Sequence, residues 1–249
     1  MKKLNPDKIK ASSVALDELK RLEKISFNRN PTPWHERCDT ALKIATVNCA
    51  GLLPHLKDIR KDKKLLEASV INLLETSLPI DADTEDIDIN GFHGKFINIG
   101  NGKGIATFMS KDNLMINSEK DLMLGTLQIT KSNIEGIDSI SVYRSSNHSI
   151  LETTASIISM IDIKKPTLIK GDLNLCTIRD KSNSLTTKLE KIGFKQMVKK
   201  ATHIDGGHID HCYWLDKAQV WDSPKLERYS PYWSDHDAIL VTLQRKEIK

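Results

Sequence analysis

Short apolar runs bounded by Gly, Pro, Asn or Asp recur along the chain from Leu42 onward. Such runs are typical of β-strands that are buried on at least one face. The pattern predicts strands at 42–49, 70–75, 104–109, 123–130, 137–143, 167–172, 208–215 and 238–243.

Two intervening segments are predicted as amphipathic helices that pack on a sheet, because apolar residues recur in them at helical spacing. The late strands follow without regular helix alternation, which disfavours a purely parallel doubly wound sheet. The fold class predicted is therefore a mixed α/β domain with two packed β-sheets flanked by helices. The two apolar stripes are Leu151, Ala155, Ile158 and Ile161, and Leu185, Leu189 and Ile192.

Residues 1–40 differ from the rest of the chain and are predicted to form an N-terminal tail outside a catalytic domain of residues 41–249. A short helix is expected from Ser12 or Ser13, since either serine can serve as its N-cap. The helix should end before a linker that contains two prolines, which forbid its continuation.

Composition narrows the class of protein. Hydrophobic residues make up 39% and charged residues 28% of the 249 positions, as in ordinary soluble proteins. No apolar run approaches the ~20 residues of a membrane span, and Met1 leads into charged residues rather than a signal peptide. These features predict an intracellular protein, with the nucleus included among its locations, that does not contact membranes. Its four cysteines lie far apart, so reduced thiols are expected.

The net charge of +4 is concentrated at the beginning of the chain. Residues 1–40 hold nine Lys and Arg against six Asp and Glu, which leaves 28 against 27 for all later residues. Any polyanion must therefore be met by local patches or by a metal ion rather than by global charge.

Polar residues that could bind a metal ion or transfer a proton stand at the ends of the predicted strands. Asp172 and Asn174 follow one strand and would face the same side in extended chain, while Glu75 and Asn48 end two others. Oxygen ligands without clustered cysteines suit Mg²⁺ or Mn²⁺. An imidazole beside a carboxylate suits an oriented base or a hydrogen-bond donor to phosphate. The combination predicts metal-assisted hydrolysis of a phosphate ester. Two segments supply the imidazoles: H-I-D-H at 208–211 and S-D-H-D at 234–237.

At these residues the chain resembles the endonuclease/exonuclease/phosphatase superfamily, which includes DNase I, apurinic/apyrimidinic endonucleases and retrotransposon endonucleases. The resemblance implies a four-layered α/β sandwich (DNase I-like), with the active site at the strand ends where the two sheets meet. The blocks that carry it appear in the family's order across residues 42–244: K-I-A-T-V-N-C-A-G-L, V-I-N-L-L-E-T, G-K-G-I-A-T-F, I-S-V-Y-R, L-I-K-G-D-L-N, G-G-H-I-D-H and S-D-H-D.

The resemblance also implies roles for individual residues. Glu75 is similar to the principal metal ligand, with Asn48 and Asp235 nearby, and the implied cofactor is Mg²⁺ or Mn²⁺. Asp172 and Asn174 resemble the pair that positions or activates the attacking water and holds the scissile phosphate.

Further roles concern the phosphate itself. His236 resembles the histidine that contacts it and shares in acid or base chemistry, and Asp210 the acid that orients this histidine. Tyr143 resembles the tyrosine that stabilises the phosphate or the leaving oxygen. Whether Asp172 or His236 takes the proton of the water stays open.

The segment after Tyr143 departs from the family, whose nuclease branch has a short Pro-Asn turn there. This chain has Arg144-Ser145-Ser146-Asn147-His148 instead. Arg144, Asn147 and His148 are therefore candidate substrate contacts, and either Asn147 or His148 can take the position that contacts phosphate.

A narrower resemblance covers the beginning of the chain. L-N-P-D-K-I-K at 4–10 is similar to the tail that ends the helicase in helicase-endonuclease fusions of Helitron-like transposons, and H-L-K-D-I-R-K-D and G-N-G-K-G-I-A are similar to the endonuclease of those fusions. The resemblance implies a helicase domain as partner, in the same or a longer polypeptide.

Three functions agree with these residues. The leading hypothesis is a Mg²⁺-dependent endonuclease that hydrolyses phosphodiester bonds in nucleic acid, DNA before RNA. A phosphomonoesterase or phospholipase-like enzyme is the first alternative, although such relatives carry Arg-Pro where this chain has Asp237-Ala238. A catalytically inactive nucleic-acid-binding module is the second, and the intact acidic set disfavours it. The basic segment at 57–64 is either a solvated helix face or a track for a nucleic-acid backbone.

Overall fold

The computed structural model describes residues 41–98, 103–111, 116–178 and 183–246. The predicted tail helix, its proline linker and the segment at 4–10 lie outside these residues. None of the helices in the described ranges is long and apolar enough to cross a lipid bilayer.

The described ranges contain twelve strands and four helices. The strands are β1 (Leu42–Asn48), β2 (Val70–Leu74), β3 (Phe92–Ile97), β4 (Ile105–Ser110), β5 (Ile116–Leu124), β6 (Leu127–Ile134), β7 (Ile137–Arg144), β8 (Thr167–Asp172), β9 (Lys195–Gln196), β10 (Asp210–Leu215), β11 (Lys225–Tyr229) and β12 (Ala238–Leu243). The helices are α1 (Leu52–Ile59), α2 (Lys63–Leu66), α3 (Ile150–Ser159) and α4 (Ser184–Ile192).

The strands form two mixed sheets of six strands each, which confirms the predicted fold class. The first sheet has the order β11-β12-β1-β2-β4-β3, and the second has the order β5-β6-β7-β8-β10-β9. Each sheet contains one parallel pair, β1 with β2 and β7 with β8, and its other neighbours are antiparallel. Parallel neighbours end at the same sheet edge, so the polar residues that follow them lie side by side.

Strand alternation builds the layers. In β1, Ile44 packs between the two sheets with Leu168 of β8, whereas Val47 packs outward against Leu52 of α1. In β8, Ile169 packs on the opposite face of the second sheet, toward Leu189 of α4. The order is therefore helices, first sheet, second sheet and helices, because each strand buries both of its faces.

The space between the sheets is not wholly apolar. Asn72 of β2 accepts hydrogen bonds from Ser141 of β7 (2.8 Å) and Thr107 of β4 (3.2 Å). Lys170 of β8 is fully buried and donates to Ser139 (2.7 Å) and Ser141 (2.9 Å). Burial lowers the pKa of Lys170 to about 7, since removal from water penalises the charged amine.

Two sequence predictions are wrong in detail. The run at 123–130 is not one strand, because Gly125, with φ 56°, turns the chain between β5 and β6. In α3 the predicted stripe faces the wrong way: Leu151 is 67% exposed, whereas Thr153 and Thr154 are buried. These threonines tolerate burial because their hydroxyls donate to backbone carbonyls one turn earlier.

Candidate active site

The strand ends of both sheets meet at one place. Asn48 is the last residue of β1, and Glu75 directly follows the parallel strand β2. Asp172 ends β8 and lies opposite Asp210, which begins the antiparallel strand β10. Antiparallel pairing thus brings the second carboxylate to the same edge as the first.

Asp172 joins the two sheets through its carboxylate. Its Oδ2 accepts a hydrogen bond from the Asn48 side chain (3.0 Å), and its Oδ1 accepts one from the backbone N–H of Asn174 (2.9 Å). Asn174 in turn donates from Nδ2 to the carbonyl of Arg144 (2.9 Å). Burial raises the pKa of Asp172, and the neighbouring Asp210 raises it further. The carboxylate is therefore held in one orientation by partners from both sheets.

A second contact across the sheets joins Tyr143 and Glu75. The Tyr143 hydroxyl donates to Oε1 of Glu75, and Tyr143 pairs with Asp172 in the register of β7 and β8. Burial and the Glu75 carboxylate raise the pKa of Tyr143 well above its usual range. The phenol therefore stays protonated and acts as a hydrogen-bond donor at this edge.

Backbone conformation at the site is unusual. Glu75 has φ 53° and Asn174 has φ 48°, both in the left-handed region that non-glycine residues rarely occupy. Such strain persists only where surrounding structure fixes it, and it concentrates at functional sites. Gly171 is required for a different reason, since a Cβ there would lie 1.9 Å from the Val142 carbonyl oxygen. Because glycine has no Cβ, β7 and β8 can approach closely just before Asp172.

Asp210 and His236 form a buried pair. His236 Nδ1 lies 2.9 Å from Asp210 Oδ2. Burial alone would lower the pKa of His236, but the hydrogen bond and charge of Asp210, with Asp172 and Asp235 nearby, raise it to about 9. His236 is therefore a cation at neutral pH.

Two residues at the site, His203 and Ser234, were not predicted from sequence. His203 Nε2 lies 3.4 Å from Asp235 Oδ2, and its ring meets that of His236 edge to face at 4.7 Å between centroids. The sequence offered only the imidazole itself, since this contact depends on folding that joins segments more than thirty residues apart. Ser234 was also missed: its hydroxyl donates to the Asn48 carbonyl (2.7 Å).

The donor set fits a hard divalent cation. Two groups of side chains bring their oxygen and nitrogen atoms within 4.8 Å of one another: Asp172 with Asp210 and His236, and Asp235 with His203 and His236. The carboxylates are the candidate ligands in both groups, because a protonated His236 has no lone pair for a metal. Glu75 belongs to neither group. The carboxylates outnumber the nearby cationic groups. Burial raises the pKa of Asp172, and the charge of Asp210 raises it further. A cation that prefers oxygen ligands would relieve this excess of negative charge.

The predicted substrate contacts after Tyr143 differ in placement. Arg144, a candidate substrate contact, has a buried guanidinium that donates to the carbonyls of Leu173, Asn174, Ser146 and His148. The His148 ring faces Thr126 (3.4 Å) and Glu152 (3.7 Å). Asn147 is exposed beside Ser145, so it is the more accessible of the two candidates.

The basic segment is partly neutralised. Arg60 bonds to Asp88, and Lys64 bonds to Glu227 (2.5 Å). Trp233 is buried and donates to Asp62 (3.3 Å), so it packs rather than presenting a face to a base.

Three solved structures are similar to this chain. The endonuclease domain of TRAS1, a telomere-specific non-LTR retrotransposon, has a TM-score of 0.64 and 11% identity over 84% of this chain and 100% of that one. An AP endonuclease from Archaeoglobus fulgidus has a TM-score of 0.62 and 16% identity over 80% of this chain and 98% of that one. The 3' phosphatase NExo from Neisseria, bound to a product DNA hairpin, has a TM-score of 0.62 and 14% identity over 81% of this chain and 98% of that one.

No protein-family model and no curated protein matches the chain. At these identities the structural likeness establishes the fold, a DNase I-like α/β sandwich.

Proposed function

We propose that the chain is a Mg²⁺-dependent endonuclease that hydrolyses phosphodiester bonds in DNA. The observation that carries the proposal is the meeting of Asp172, Asp210 and His236 at one sheet edge, beside the Tyr143–Glu75 contact. The similar structures include two endonucleases and an enzyme bound to DNA, which supports this substrate class.

Glu75 would hold the cation, with Asn48 and Asp235 nearby. When bound, Mg²⁺ supplies a Lewis acid that withdraws negative charge from the phosphate. Asn48 contributes mainly by orientation, because its Nδ2 donates to Asp172 and its Oδ1 already accepts from the N–H of Ala50 (3.0 Å).

The remaining residues handle water and phosphate. Asp172, fixed by Asn48 and Asn174, orients the attacking water and accepts its proton. Charged His236 directs Nε2–H to a phosphate oxygen, since its Nδ1 is taken by Asp210. Tyr143 would stabilise the leaving oxygen if its O–H turned to it from Glu75, to which it donates here. Exposed Asn147 would contact a flanking phosphate. Each group acts in a fixed geometry, which lowers the cost of reaching the transition state.

A phosphomonoesterase is the second candidate, because one similar structure is that of a 3' phosphatase. The two activities share attack of water on phosphorus and differ in the group that leaves.

The two activities are separated by one panel of substrates. Supercoiled plasmid, single-stranded DNA, RNA, a 3'-phosphorylated oligonucleotide and a soluble inositol phosphate are each incubated with Mg²⁺ or EDTA. We expect plasmid nicking that disappears in EDTA and returns with excess Mg²⁺ or Mn²⁺. Cleavage that persists after rigorous chelation would overturn the proposal, and release of phosphate without strand cleavage would favour the second candidate.

A helicase domain in the same or a longer polypeptide is the proposed partner, on the resemblance of residues 4–10. The test is to fuse or mix the chain with such a helicase and to measure whether unwinding and cleavage occur on one DNA molecule.

A further inference from the structure

His203 is fixed in place by the backbone on both sides of it. The Ile204 N–H donates to the Asp235 carbonyl (2.9 Å), and the Asp237 N–H donates to the Thr202 carbonyl (2.7 Å). This short antiparallel bridge pairs His203 with His236. The imidazole of His203 therefore has a defined position relative to Asp235, whose carbonyl accepts the first of these bonds.

The hydrogen bonds of His203 define where its proton lies. The Asp205 N–H donates to Nδ1 (3.1 Å), so Nδ1 presents a lone pair. In the neutral imidazole the proton is then on Nε2, which faces Asp235 Oδ2 at 3.4 Å. The Asp205 carboxylate also lies 3.6 Å from Nδ1, but its side chain is largely exposed and screened by water.

Asp235 needs such a partner. Its side chain is 48% exposed, and its side-chain contacts within the described part of the chain are the imidazoles of His203 and, at 4.0 Å, His236. An exposed carboxylate with one weak contact would populate several rotamers, and the wrong ones would point away from a cation. A donor on a fixed ring selects one of them.

We propose that His203 is a positioning residue that holds the Asp235 carboxylate toward the metal through Nε2–H, while its ring supports His236 edge to face. The inference rests on the proposed metal-dependent function. It mirrors the neighbouring pair: Asp210, a carboxylate, orients an imidazole, and His203, an imidazole, orients a carboxylate.

The same geometry disfavours His203 as a direct metal ligand. A nitrogen that carries a proton has no lone pair for a metal, and Nδ1 is occupied by the Asp205 N–H. His203 thus acts on the metal through Asp235, and its effect should vanish when Asp235 cannot respond.

Three substitutions at His203 separate the effect of its hydrogen-bond donor from the effects of its ring and its volume. His203→Phe keeps a ring but removes the donor, His203→Ala removes both, and His203→Gln keeps an amide N–H near the position of Nε2. His93→Phe, at an exposed histidine on β3, is the matched control. Mn²⁺ affinity is measured on the full chain by electron paramagnetic resonance without substrate, and the Mg²⁺ dependence of plasmid cleavage is measured separately.

We expect His203→Phe and His203→Ala to weaken Mn²⁺ binding and to raise the Mg²⁺ concentration for half-maximal cleavage by about tenfold. His203→Gln should recover most of the affinity, and His93→Phe should match wild type. In an Asp235→Asn background, His203→Phe should add little, because the two residues act as one unit.

Wild-type Mn²⁺ affinity in His203→Phe would overturn this inference alone. So would equal losses in His203→Gln and His203→Ala, or independent losses in the double variant. A wild-type protein that binds no Mn²⁺ would overturn the metal-dependent function and this inference together.

Discussion

Asp210 Oδ2 lies 2.9 Å from Nδ1 of His236, and both side chains are buried. Asp210 also faces Asp172 across β10 and β8. The Asp210 carboxylate thus stabilises the protonated form of His236 and at the same time repels the carboxylate of Asp172. Burial is the main cause of the raised pKa of Asp172; the charge of Asp210 raises this pKa further, and the charge of His236 opposes the rise.

The first prediction concerns this pair. Asp210→Asn and His236→Ala should each lower the single-turnover cleavage rate by more than about a hundredfold. The double variant should lose little more than either single variant, because the residues act as one unit. A nearly silent Asp210→Asn, or multiplicative losses in the double variant, would mean that Asp210 does not orient His236.

The second prediction concerns Glu75, whose charge is proposed to hold the cation. Glu75→Gln keeps the shape of the side chain, so cleavage should fall by more than about a hundredfold at limiting Mg²⁺ and recover partly at high Mg²⁺. Glu85→Gln, at an exposed glutamate, is the control and should behave as wild type. A wild-type rate for Glu75→Gln at limiting metal would remove Glu75 from the site.

The third prediction uses the buried amine of Lys170, whose pKa is about 7 in the folded chain against an ordinary value of 10.5. Between these values the unfolded chain binds a proton that the folded chain does not, so the Lys170 contribution to stability rises with pH. Below pH 7 both states are charged and the folded state carries the full desolvation cost.

Lys170→Met removes this dependence. Its free energy of unfolding, measured with urea, should compare most favourably with wild type near pH 6 and least favourably near pH 9. Lys61→Met, at an exposed lysine, should give a difference from wild type that does not change with pH. A flat difference for Lys170→Met would show that the amine is not desolvated in the folded state.

The fourth prediction separates Arg144 from Asn147. Lysine cannot reproduce the planar fork that reaches several carbonyls, so Arg144→Lys should lower the free energy of unfolding by about 2–3 kcal/mol. Asn147→Ala should leave stability unchanged and raise KM for DNA. If Arg144→Lys instead keeps full stability and loses only DNA affinity, Arg144 contacts the substrate, as the sequence predicts.

The fifth prediction concerns residues 1–40, which stay a predicted tail. Their deletion should leave the melting temperature nearly unchanged and cleavage detectable. DNA affinity should drop, because three of the four net positive charges leave with the segment. An unfolded truncation would show that the tail is part of the catalytic domain.

Much of the site could be predicted because strands have a period of two and end at a common edge. Asn48 and Asp172 follow from that rule, and the structure joins them by a hydrogen bond. Asp210 was identified by the family resemblance, and it lies opposite Asp172. The pattern failed where local chemistry competes with hydrophobicity. Thr153 and Thr154 are buried because their hydroxyls bond to the helix backbone, which no count of apolar residues detects.

Other features depend on tertiary structure. The left-handed backbone of Glu75 has no sequence signal, since glutamate has no preference for that conformation. The sequence places Arg144 directly after Tyr143 but does not show its partners. Only the fold shows that its guanidinium donates hydrogen bonds to backbone carbonyls. His203 reaches Asp235 through a bridge between distant segments.

The hydrogen bond between Asn48 and Asp172 spans 124 positions of the chain. During synthesis the ribosome releases Asn48 and Glu75 before Asp172, Asp210 and His236, which lie further along the chain. A nascent chain that lacks these later residues therefore cannot assemble the candidate site, even if its first strands have formed. The order of residues along the chain therefore makes the arrangement of Asn48, Asp172 and His236 a late event in synthesis.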